Sequence, residues 1–445
     1  MEADLILRGG TLICMDTQRT VRRADLVVSG GRIAAIEAGA RQGARRVIDA
    51  SGSVILPGFV QCHTRLNRML FRRSTEAGIA ARRERLLRLE AGHDRASAFS
   101  SAALGAAELL RGGTTAVLDM GDGTQAEMIF QALDGMGLRG VSGLTLADRR
   151  ESLPAPLCRP TERAIQEAES LCRRWHNAAG GRLRYGVNVR GPLWCGKVLL
   201  SKACQLARAQ KLPLSASVAP DRESARELRE RYGVSPLRML LDSGFVGPDT
   251  VLGQCDVCRV EELPLLLRNG GSICHCPGEA PICGEGLVSL PEMLSAGVNV
   301  ALGCDDPVRN PSLDMFEVMR RAIALQEARE GGPATLSAQA VLEMATIGGA
   351  RALGLAGEIG SLMPGRKADL LVLKLEGGKV GEAGEDVVRR VVFGGSAEQV
   401  THTLVDGRVL LDERRLVDVD WEGLLVEAAR ESGSLLRRVD GGETA

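Results

Sequence analysis

The stretch LPGFVQCHTRLNRMLFRR, from Leu56 to Arg73, decides the fold, because it reads as a buried strand that ends in polar side chains. The apolar run around Val60 is followed by His63 and Arg65. One residue, Thr64, separates that pair, so in an extended chain both side chains project to the same side. The stretch therefore predicts a buried strand whose end contributes His63 and Arg65 to a site.

Further segments of the same kind recur along the middle of the chain. The eight strand candidates are residues 58–63, 114–119, 139–145, 184–190, 212–218, 250–255, 272–276 and 298–303. Segments with helical spacing lie between them, such as SSAALGAAELLRGG with its Gly-Gly stop. This alternation predicts an α/β fold, a closed parallel (β/α)8 TIM barrel. The alternative, an open doubly wound sheet, is less favoured because no strand is followed by a Gly-rich phosphate turn.

The two ends of the chain are rich in strand patterns instead. ADLILRGGTLIC and ADLVVSGGRIAAIEAG lie near the N-terminus, and KADLLVLKLEG and VTHTLVDGRVLLDERRL lie near the C-terminus. Their short alternating runs and Gly-containing turns are typical of hairpins. We expect one β-rich module that the barrel interrupts. The last segment, WEGLLVEAARESGSLLRR, has the pattern of an amphipathic helix that packs on the body.

Composition excludes several classes of function. The 445 residues carry 56 basic and 56 acidic side chains, so the zero net charge gives no general attraction to nucleic acid or anionic membranes. Aromatic residues make up only 3%, which disfavours stacking of single-stranded nucleic acid. No long uncharged apolar run and no basic start followed by an apolar run is present. We therefore expect a cytoplasmic protein that binds neither nucleic acid nor membrane, with its 12 cysteines mostly reduced.

Several motifs together resemble one family, the amidohydrolase superfamily, in the branch of triazine chlorohydrolases and S-adenosylhomocysteine, guanine and cytosine deaminases. The matching pieces span nearly the whole chain: ILPGFVQCHTR, AALGAAELLRGGTTAVLDM, ICHCPGEAPICGEGLVSLPEMLSAGVNVALGCDD, NPSLDMFEVMRRA and LEMATIGGARALGLAGEIGSLMPGRKADLLVL. The resemblance implies a composite β-sandwich from residues 1–56 and 362–420, a barrel over 57–361, and a C-terminal helix over 421–445. It also implies a homodimer.

The resemblance implies a metal chemistry as well. In the family one zinc or iron ion is held by a His-x-His pair from strand one, a histidine from strand five and an aspartate from strand eight. The metal lowers the pKa of a bound water, which attacks an electrophilic ring carbon. A strand-five glutamate and a strand-six histidine move protons.

This chain matches only two of those metal positions. His63 and Asp305 correspond to the first histidine and the aspartate, so we expect them to be the catalytic residues and the residual ligand positions. Arg65 replaces the second histidine, and its guanidinium would repel a dication. The sequence thus predicts a degenerate site with no cofactor, unless zinc or iron is retained in altered form.

The other family positions differ too. Ser217 and Pro220 stand in place of the strand-five histidine and glutamate, Gln254 replaces the strand-six histidine, and Arg190 lies in the strand-four substrate element. The residues expected to contact a ligand are Arg65, Arg190, Ser217, Gln254 and His275.

The substitutions suggest how the site is rebuilt. A lone buried Asp305 would be unfavourable, so we predict a two-pronged ion pair between Arg65 and Asp305. The alternative is that Arg65 reaches solvent and Asp305 bonds to the backbone. Arg65 and Arg190 could also hold an anionic ligand together, unless Arg190 makes a structural salt bridge.

Two cysteine hypotheses stay open beside the arginine site. Cys255 and Cys258 together with Cys274, Cys276 and Cys283 could hold zinc, although strand geometry points the first pair to opposite faces. Cys304, next to the aspartate, could be a nucleophile if a base lies near it.

Three functions are compatible with this sequence. The first is hydrolysis of a C–N or C–Cl bond on a small nitrogen heterocycle or amidine, in a hydrolytic deaminase lineage whose metal centre is largely lost. The second is an inactive pseudoenzyme that binds a small ligand, either an anion or a nitrogen heterocycle, or that pairs with an active paralogue. The third is metal-independent acid–base catalysis by His63 and Asp305. Metal analysis separates the first from the other two.

Overall fold

The computed structural model describes residues 2–72, 79–219, 221–255, 260–278, 289–308, 310–332, 335–375 and 386–441. Its strands, in chain order, are β1 (Ala3–Ile13), β2 (Val21–Ser29), β3 (Arg32–Glu37), β4 (Ala44–Asp49), β5 (Val54–Pro57), β6 (Phe59–Thr64), β7 (Thr114–Asp119), β8 (Arg139–Ser142), β9 (Thr145–Leu146), β10 (Leu183–Tyr185), β11 (Val187–Val189), β12 (Leu214–Ser217), β13 (Thr250–Gly253), β14 (Ser272–His275), β15 (Val300–Leu302), β16 (Leu370–Leu373), β17 (Val400–Val405), β18 (Arg408–Asp412) and β19 (Arg415–Leu416).

The predicted (β/α)8 barrel is confirmed, and each of the eight predicted segments overlaps a parallel barrel strand. The third and fourth strands are each broken in two, β8–β9 and β10–β11. The break falls where the chains approach closely, since a Cβ atom on Gly143 would lie 2.0 Å from the carbonyl oxygen of Gly186. The first and last strands meet at a parallel bridge between Thr64 and Asp305. This bridge closes the barrel between β6 and β15.

Helices connect the strands and cover the outside of the barrel. They are Ile79–Ala91, Arg95–Arg111, Ala126–Gly135, Thr161–Trp175, Ala178–Gly181, Lys197–Gln210, Arg222–Tyr232, Pro236–Asp242, Leu263–Asn269, Leu290–Ser295, Met315–Glu330, Ala338–Glu343, Gly349–Ala352, Val387–Gly394 and Trp421–Asp440. Short 3-10 turns are Leu66–Phe71, Arg150–Ser152, Ala155–Leu157, Val260–Glu262 and Ala397–Gln399, and a π turn spans Met344–Gly348.

Local signals explain where these helices begin and end. Helix Arg95–Arg111 begins with a capping box. The Asp94 side chain accepts a hydrogen bond from the Ser97 amide, and the Ser97 side chain accepts one from the Asp94 amide. It ends at Gly112, as the Gly-Gly stop predicted. Its alanine-rich face is buried among the other apolar residues of the barrel wall. The expected helix is therefore present, with a cap that the quoted segment did not include.

The two ends of the chain share one sheet. Within the described residues nine strands contribute, in the order β19-β18-β17-β16-β5-β1-β2-β3, with β4 paired to β1. The joint between the N-terminal and C-terminal parts is the antiparallel pairing of β5 with β16, in which Leu370 lies opposite Pro57. The expectation of one β-rich module split by the barrel agrees with this pairing. The division into three domains at residues 56, 361 and 420 stays a prediction.

The last helix lies against the helices that follow the first barrel strand. Ser432 donates a hydrogen bond of 3.1 Å to the carbonyl oxygen of Leu70, and Arg438 Nη1 lies 2.8 Å from Asp94 Oδ2. Ala428 and Leu435 are buried in this contact. The helix thus braces the wall that carries Ile79–Ala91. No helix in the described ranges has the length and apolarity needed to cross a membrane.

Candidate functional site

A pocket opens where the barrel strands end at their carboxyl termini. Parallel barrels place functional side chains at this end, because the strands converge there and their loops can vary. The residues that line the pocket are Arg65, Arg68, Arg82, Arg83, Leu86, Leu87, Arg190, Trp194, Ser217, Asp221, Gln254, Asp305 and Asp306. Four of the five residues expected to contact a ligand lie in this group.

The floor of the pocket is an ion pair between Arg65 and Asp305. Arg65 Nε lies 3.0 Å from Asp305 Oδ1, and Arg65 Nη2 donates to Ser217 Oγ at 2.8 Å. The Gln254 side-chain amide donates to the second carboxylate oxygen, Asp305 Oδ2. The predicted pair is therefore present, but its two prongs go to different partners. Arg65 ties the first strand to the fifth and the eighth.

His63 lies beside the same carboxylate. Its Nε2 atom is 3.1 Å from Asp305 Oδ1, yet neither ring nitrogen makes an aligned hydrogen bond within the described residues. Gly253 makes room for the ring, since a Cβ atom there would lie 2.1 Å from His63 Nδ1. Burial opposes ionisation of Asp305, but His63 and Arg65 outweigh it and hold the pKa of Asp305 well below its usual range.

The backbone at the floor is strained at two residues. Asp305 has φ of 53° and Gln254 has φ of 56°, both in the left-handed region that side chains with a Cβ atom disfavour. Such conformations persist where the surroundings over-determine them, and they cluster at functional sites. Here the hydrogen bond between the two side chains joins the strained positions.

A second ion network forms the inner wall, around Glu90. Arg68 Nη2 lies 3.1 Å and Arg190 Nη1 lies 3.2 Å from Glu90 Oε2, and Arg68 Nη1 lies 2.9 Å from Asp306 Oδ2. Burial raises the pKa of Glu90, but the two guanidiniums outweigh it and keep the pKa well below the usual range. Arg190 thus makes the structural salt bridge that was the alternative to ligand contact, and it also lines the pocket.

The outer rim carries two further arginines, from helix Ile79–Ala91. Arg83 Nη1 donates to Ser224 Oγ at 2.7 Å and lies 3.5 Å from Asp221. Arg82 is half-buried and, within the described part of the chain, makes no hydrogen bond or ion pair. Sequence reasoning missed Arg68, Arg82, Arg83, Glu90 and Asp306; the one available signal was Asp306, which directly follows Asp305.

The remaining predicted residues lie apart from this pocket. His275 is buried where β14 ends and is outside the group that lines the pocket. Its carbonyl oxygen accepts from the Gly303 amide at 3.1 Å, so the strand end faces its neighbour strand. Burial raises the pKa of the Cys304 thiol, which argues against a nucleophile. Pro220, Cys258 and Cys283 lie outside the described residues.

Asp119, fully buried where β7 ends, fixes the segment that follows Arg65. It accepts hydrogen bonds of 2.8 Å from the Leu66 amide, the Gly121 amide and the Ser142 hydroxyl. Burial nevertheless outweighs these bonds and raises the pKa of Asp119 from 3.8 to about 6. Asp119 therefore positions Arg65 from behind without contacting the pocket.

A testable pH dependence follows from that raised pKa. The stabilisation by Asp119 is complete below pH 3.8 and is lost as pH rises through about 6. Asp119→Asn lacks this titration. The free energy of unfolding of the wild type, relative to the variant, should fall by about 3 kcal/mol between acid and neutral pH. Urea titrations of both proteins across this pH range measure this change. If the difference in the free energy of unfolding stays constant with pH, the three hydrogen bonds offset the effect of burial on the pKa of Asp119.

Comparison with known proteins identifies what this arrangement is similar to. The sequence model of the amidohydrolase family matches residues 54–410. The chain is 30% identical over 441 residues to the 5'-deoxyadenosine deaminase of Methanosarcina mazei, a match that covers 98% of this chain and 100% of that protein. It is 30% identical over 437 residues to the 5-methylthioadenosine/S-adenosylhomocysteine deaminase of Syntrophobacter fumaroxidans, covering 95% and 96%.

The fold has close counterparts among solved structures. An adenosine deaminase from Xanthomonas campestris with bound zinc superposes with a TM-score of 0.89 at 24% identity, covering 98% of this chain and 99% of that one. At this identity the likeness carries the fold, and the chemistry has to be argued from the side chains.

Proposed function

Because this chain belongs to the amidohydrolase family, in the lineage of hydrolytic deaminases, we propose that it binds a small nitrogen heterocycle without the family's usual metal centre and does not hydrolyse it. The relatives named above act on adenosine derivatives, which makes a purine-like ring the first ligand to test. The reaction class of the lineage, C–N hydrolysis, depends on metal-activated water. The proposal therefore rests on whether these residues can hold a metal.

One observation carries the proposal: the Arg65 guanidinium lies where it neutralises the carboxylate that a metal would need. Arg65 Nε is 3.0 Å from Asp305 Oδ1, and the Gln254 amide engages Oδ2. Both carboxylate oxygens are thus bonded to donors. A divalent ion would have to displace a fixed positive charge in a buried site, where charge repulsion is screened weakly.

The donor set supports the same interpretation. Zinc in proteins takes at least three ligands, mostly histidine, cysteine or carboxylate. The floor offers His63 and Asp305, whereas Ser217 accepts from Arg65 and Gln254 donates to Asp305. Within the ranges that the structure describes, no group of three His, Cys, Asp or Glu side chains could hold a metal ion. These residues do not fit the family's metal.

Metal content tests the proposal directly. Protein produced with added zinc and then washed with a mild chelator should contain far less than one equivalent of zinc or iron per chain. Elemental mass spectrometry of the acid-digested protein measures this content. The same protein should bind 5'-deoxyadenosine in calorimetry but release no ammonia from it. A relative with the complete ligand set, prepared in parallel, shows that the wash spares a true site.

Two results would contradict the proposal. One is a stoichiometric metal in the washed protein. The other is ammonia release that a chelator abolishes and added zinc restores, because this would show that a catalytic metal binds in the pocket despite Arg65.

Metal-independent catalysis by His63 and Asp305 is the second candidate, favoured by the 3.1 Å contact between them. A general base needs a pKa near the working pH. Asp305 has a pKa held well below its usual range and both oxygens engaged, so it is a poor base. Ammonia release that persists in metal-free protein, and is lost in His63→Gln, would favour this candidate over binding alone.

The assembly of the protein stays a prediction. The family resemblance favours a homodimer, and the sequence patterns favour a cytoplasmic location. An inactive subunit could also pair with an active paralogue. Size-exclusion chromatography with light scattering measures the first, and co-purification from the native host measures the second.

A further inference from the structure

We propose that the ligand of this pocket carries an anionic group, a carboxylate or a phosphate, next to its ring, and that Arg82 binds that group at the rim. This inference rests on the proposed function, because it names the class of ligand for the same pocket. Its basis is the charge balance of the walls, together with unsatisfied polar atoms among them.

The charges around the pocket do not cancel within the described residues. Four guanidiniums have carboxylate partners, and the pairs are Arg65–Asp305, Arg68–Asp306, Arg190–Glu90 and Arg83–Asp221. Arg82 lines the same pocket and has no partner among the described residues. The described walls therefore hold one more positive than negative side chain. A pocket with a net positive charge attracts an anion over a neutral molecule of the same shape.

Arg65 and Arg83 extend this positive surface inward from Arg82. The bonds of Arg65 use Nε and Nη2, and those of Arg83 use Nη1 alone. Arg65 Nη1 and Arg83 Nη2 thus keep donors without partners in the described residues. Guanidinium groups bind carboxylate and phosphate through such paired N–H donors.

Other polar atoms beside the pocket suit the ring of the ligand. Trp194 Nε1 and Arg190 Nε are buried donors, and Gln254 Oε1 is a buried acceptor, all without a hydrogen-bond partner in the described part of the chain. Buried groups of this kind are destabilising until a partner arrives. Ring nitrogens accept and an amino group donates, so an amino-substituted heterocycle offers the complementary set.

The apolar wall of the pocket agrees with such a ligand. Leu86, Leu87 and Trp194 form the apolar part of the lining. The ring would lie on this apolar wall, with its anionic substituent toward Arg82 on the next turn of the same helix, Ile79–Ala91.

The test compares three adenosine compounds that share the ring and differ in the group at the 5' position. Calorimetry on the full-length protein measures binding of adenosine, adenosine 5'-monophosphate and adenosine 5'-carboxylate, at low and high salt. The two anionic compounds separate a phosphate site from a carboxylate site. The variants are Arg82→Gln and, as the control for loss of an arginine, Arg163→Gln, whose side chain is 73% exposed on helix Thr161–Trp175.

We expect one or both anionic compounds to bind at least about tenfold more tightly than adenosine, and this advantage to weaken at high salt. Arg82→Gln should remove most of the advantage, whereas Arg163→Gln should leave both the advantage and adenosine binding unchanged.

Equal binding of all three compounds, or an anion advantage that survives in Arg82→Gln, overturns the inference and leaves the proposed function standing. Failure of every compound to bind overturns both. Stoichiometric zinc with ammonia release contradicts the proposed function alone, because the preference for an anion is measured separately.

Discussion

Changing Arg65 and Ser217 together to histidine should produce a protein that keeps one zinc ion per chain. The variant would present His63, two new histidines and Asp305, which is a complete four-ligand set. It would also remove the guanidinium that lies 3.0 Å from Asp305. Since changes even outside the ligand shell alter metal affinity by about 10–100-fold, two added ligands should tighten zinc binding at least about a thousandfold, measured by competition with a chelating dye.

The control for this variant removes the same two side chains without adding ligands. Arg65→Gln with Ser217→Ala removes the charge but adds no ligand, so it should bind zinc far more weakly than the double-histidine variant. Circular dichroism of both variants confirms that the barrel is intact. A folded double-histidine variant that ignores zinc would show that Ser217 does not face the metal position.

Changing Glu90 to Gln should destabilise the protein by about 3–5 kcal/mol, because it leaves a buried charge without its partner. Glu90 is 1% exposed and lies against Arg68 and Arg190, whose only other described carboxylate partner is Asp306. Glutamine keeps the shape of the side chain but not its charge. The free energy of unfolding, from urea titration, measures the loss.

Two controls accompany the Glu90→Gln variant: a second glutamate on the same helix and the pH dependence of the stability loss. Glu84→Gln changes an exposed carboxylate of Ile79–Ala91 and should alter stability by less than about 0.5 kcal/mol. Folding lowers the pKa of Glu90. The stabilisation that the Glu90 carboxylate gives is therefore complete above pH 4.5 and is lost only as the pH falls through the lowered pKa. The deficit of Glu90→Gln should therefore be full at neutral pH and shrink in strong acid. Equal losses from both glutamates would contradict this network.

Much of the architecture could be predicted from the sequence, because it depends on local patterns. The run at Thr114–Asp119 was located to the residue, since an apolar stretch bounded by glycines has few other interpretations. The floor of the site was also accessible. Residues at the ends of parallel strands meet at one end of a barrel, so Arg65 and Asp305 could be paired across 240 positions.

The walls of the site could not be predicted in the same way. Glu84 and Glu90 lie on one helix in similar sequence, yet one is exposed and the other is almost completely buried between two arginines. What separates them is the direction of the helix relative to the barrel mouth, which no local pattern encodes. Arg82 and Asp119 were missed for the same reason, because their roles depend on residues far away in the chain.

The bridge between Thr64 and Asp305 has a consequence for the order in which the protein assembles. The Asp305 amide donates to the carbonyl oxygen of His63 at 2.9 Å, so the seam of the barrel and the floor of its pocket are made by the same few residues. A nascent chain that has emerged only as far as the seventh strand holds every arginine of the pocket but not the carboxylate that orders Arg65. Docking of the final strand is therefore the event that creates the binding site, and earlier intermediates should have no affinity for the ligand.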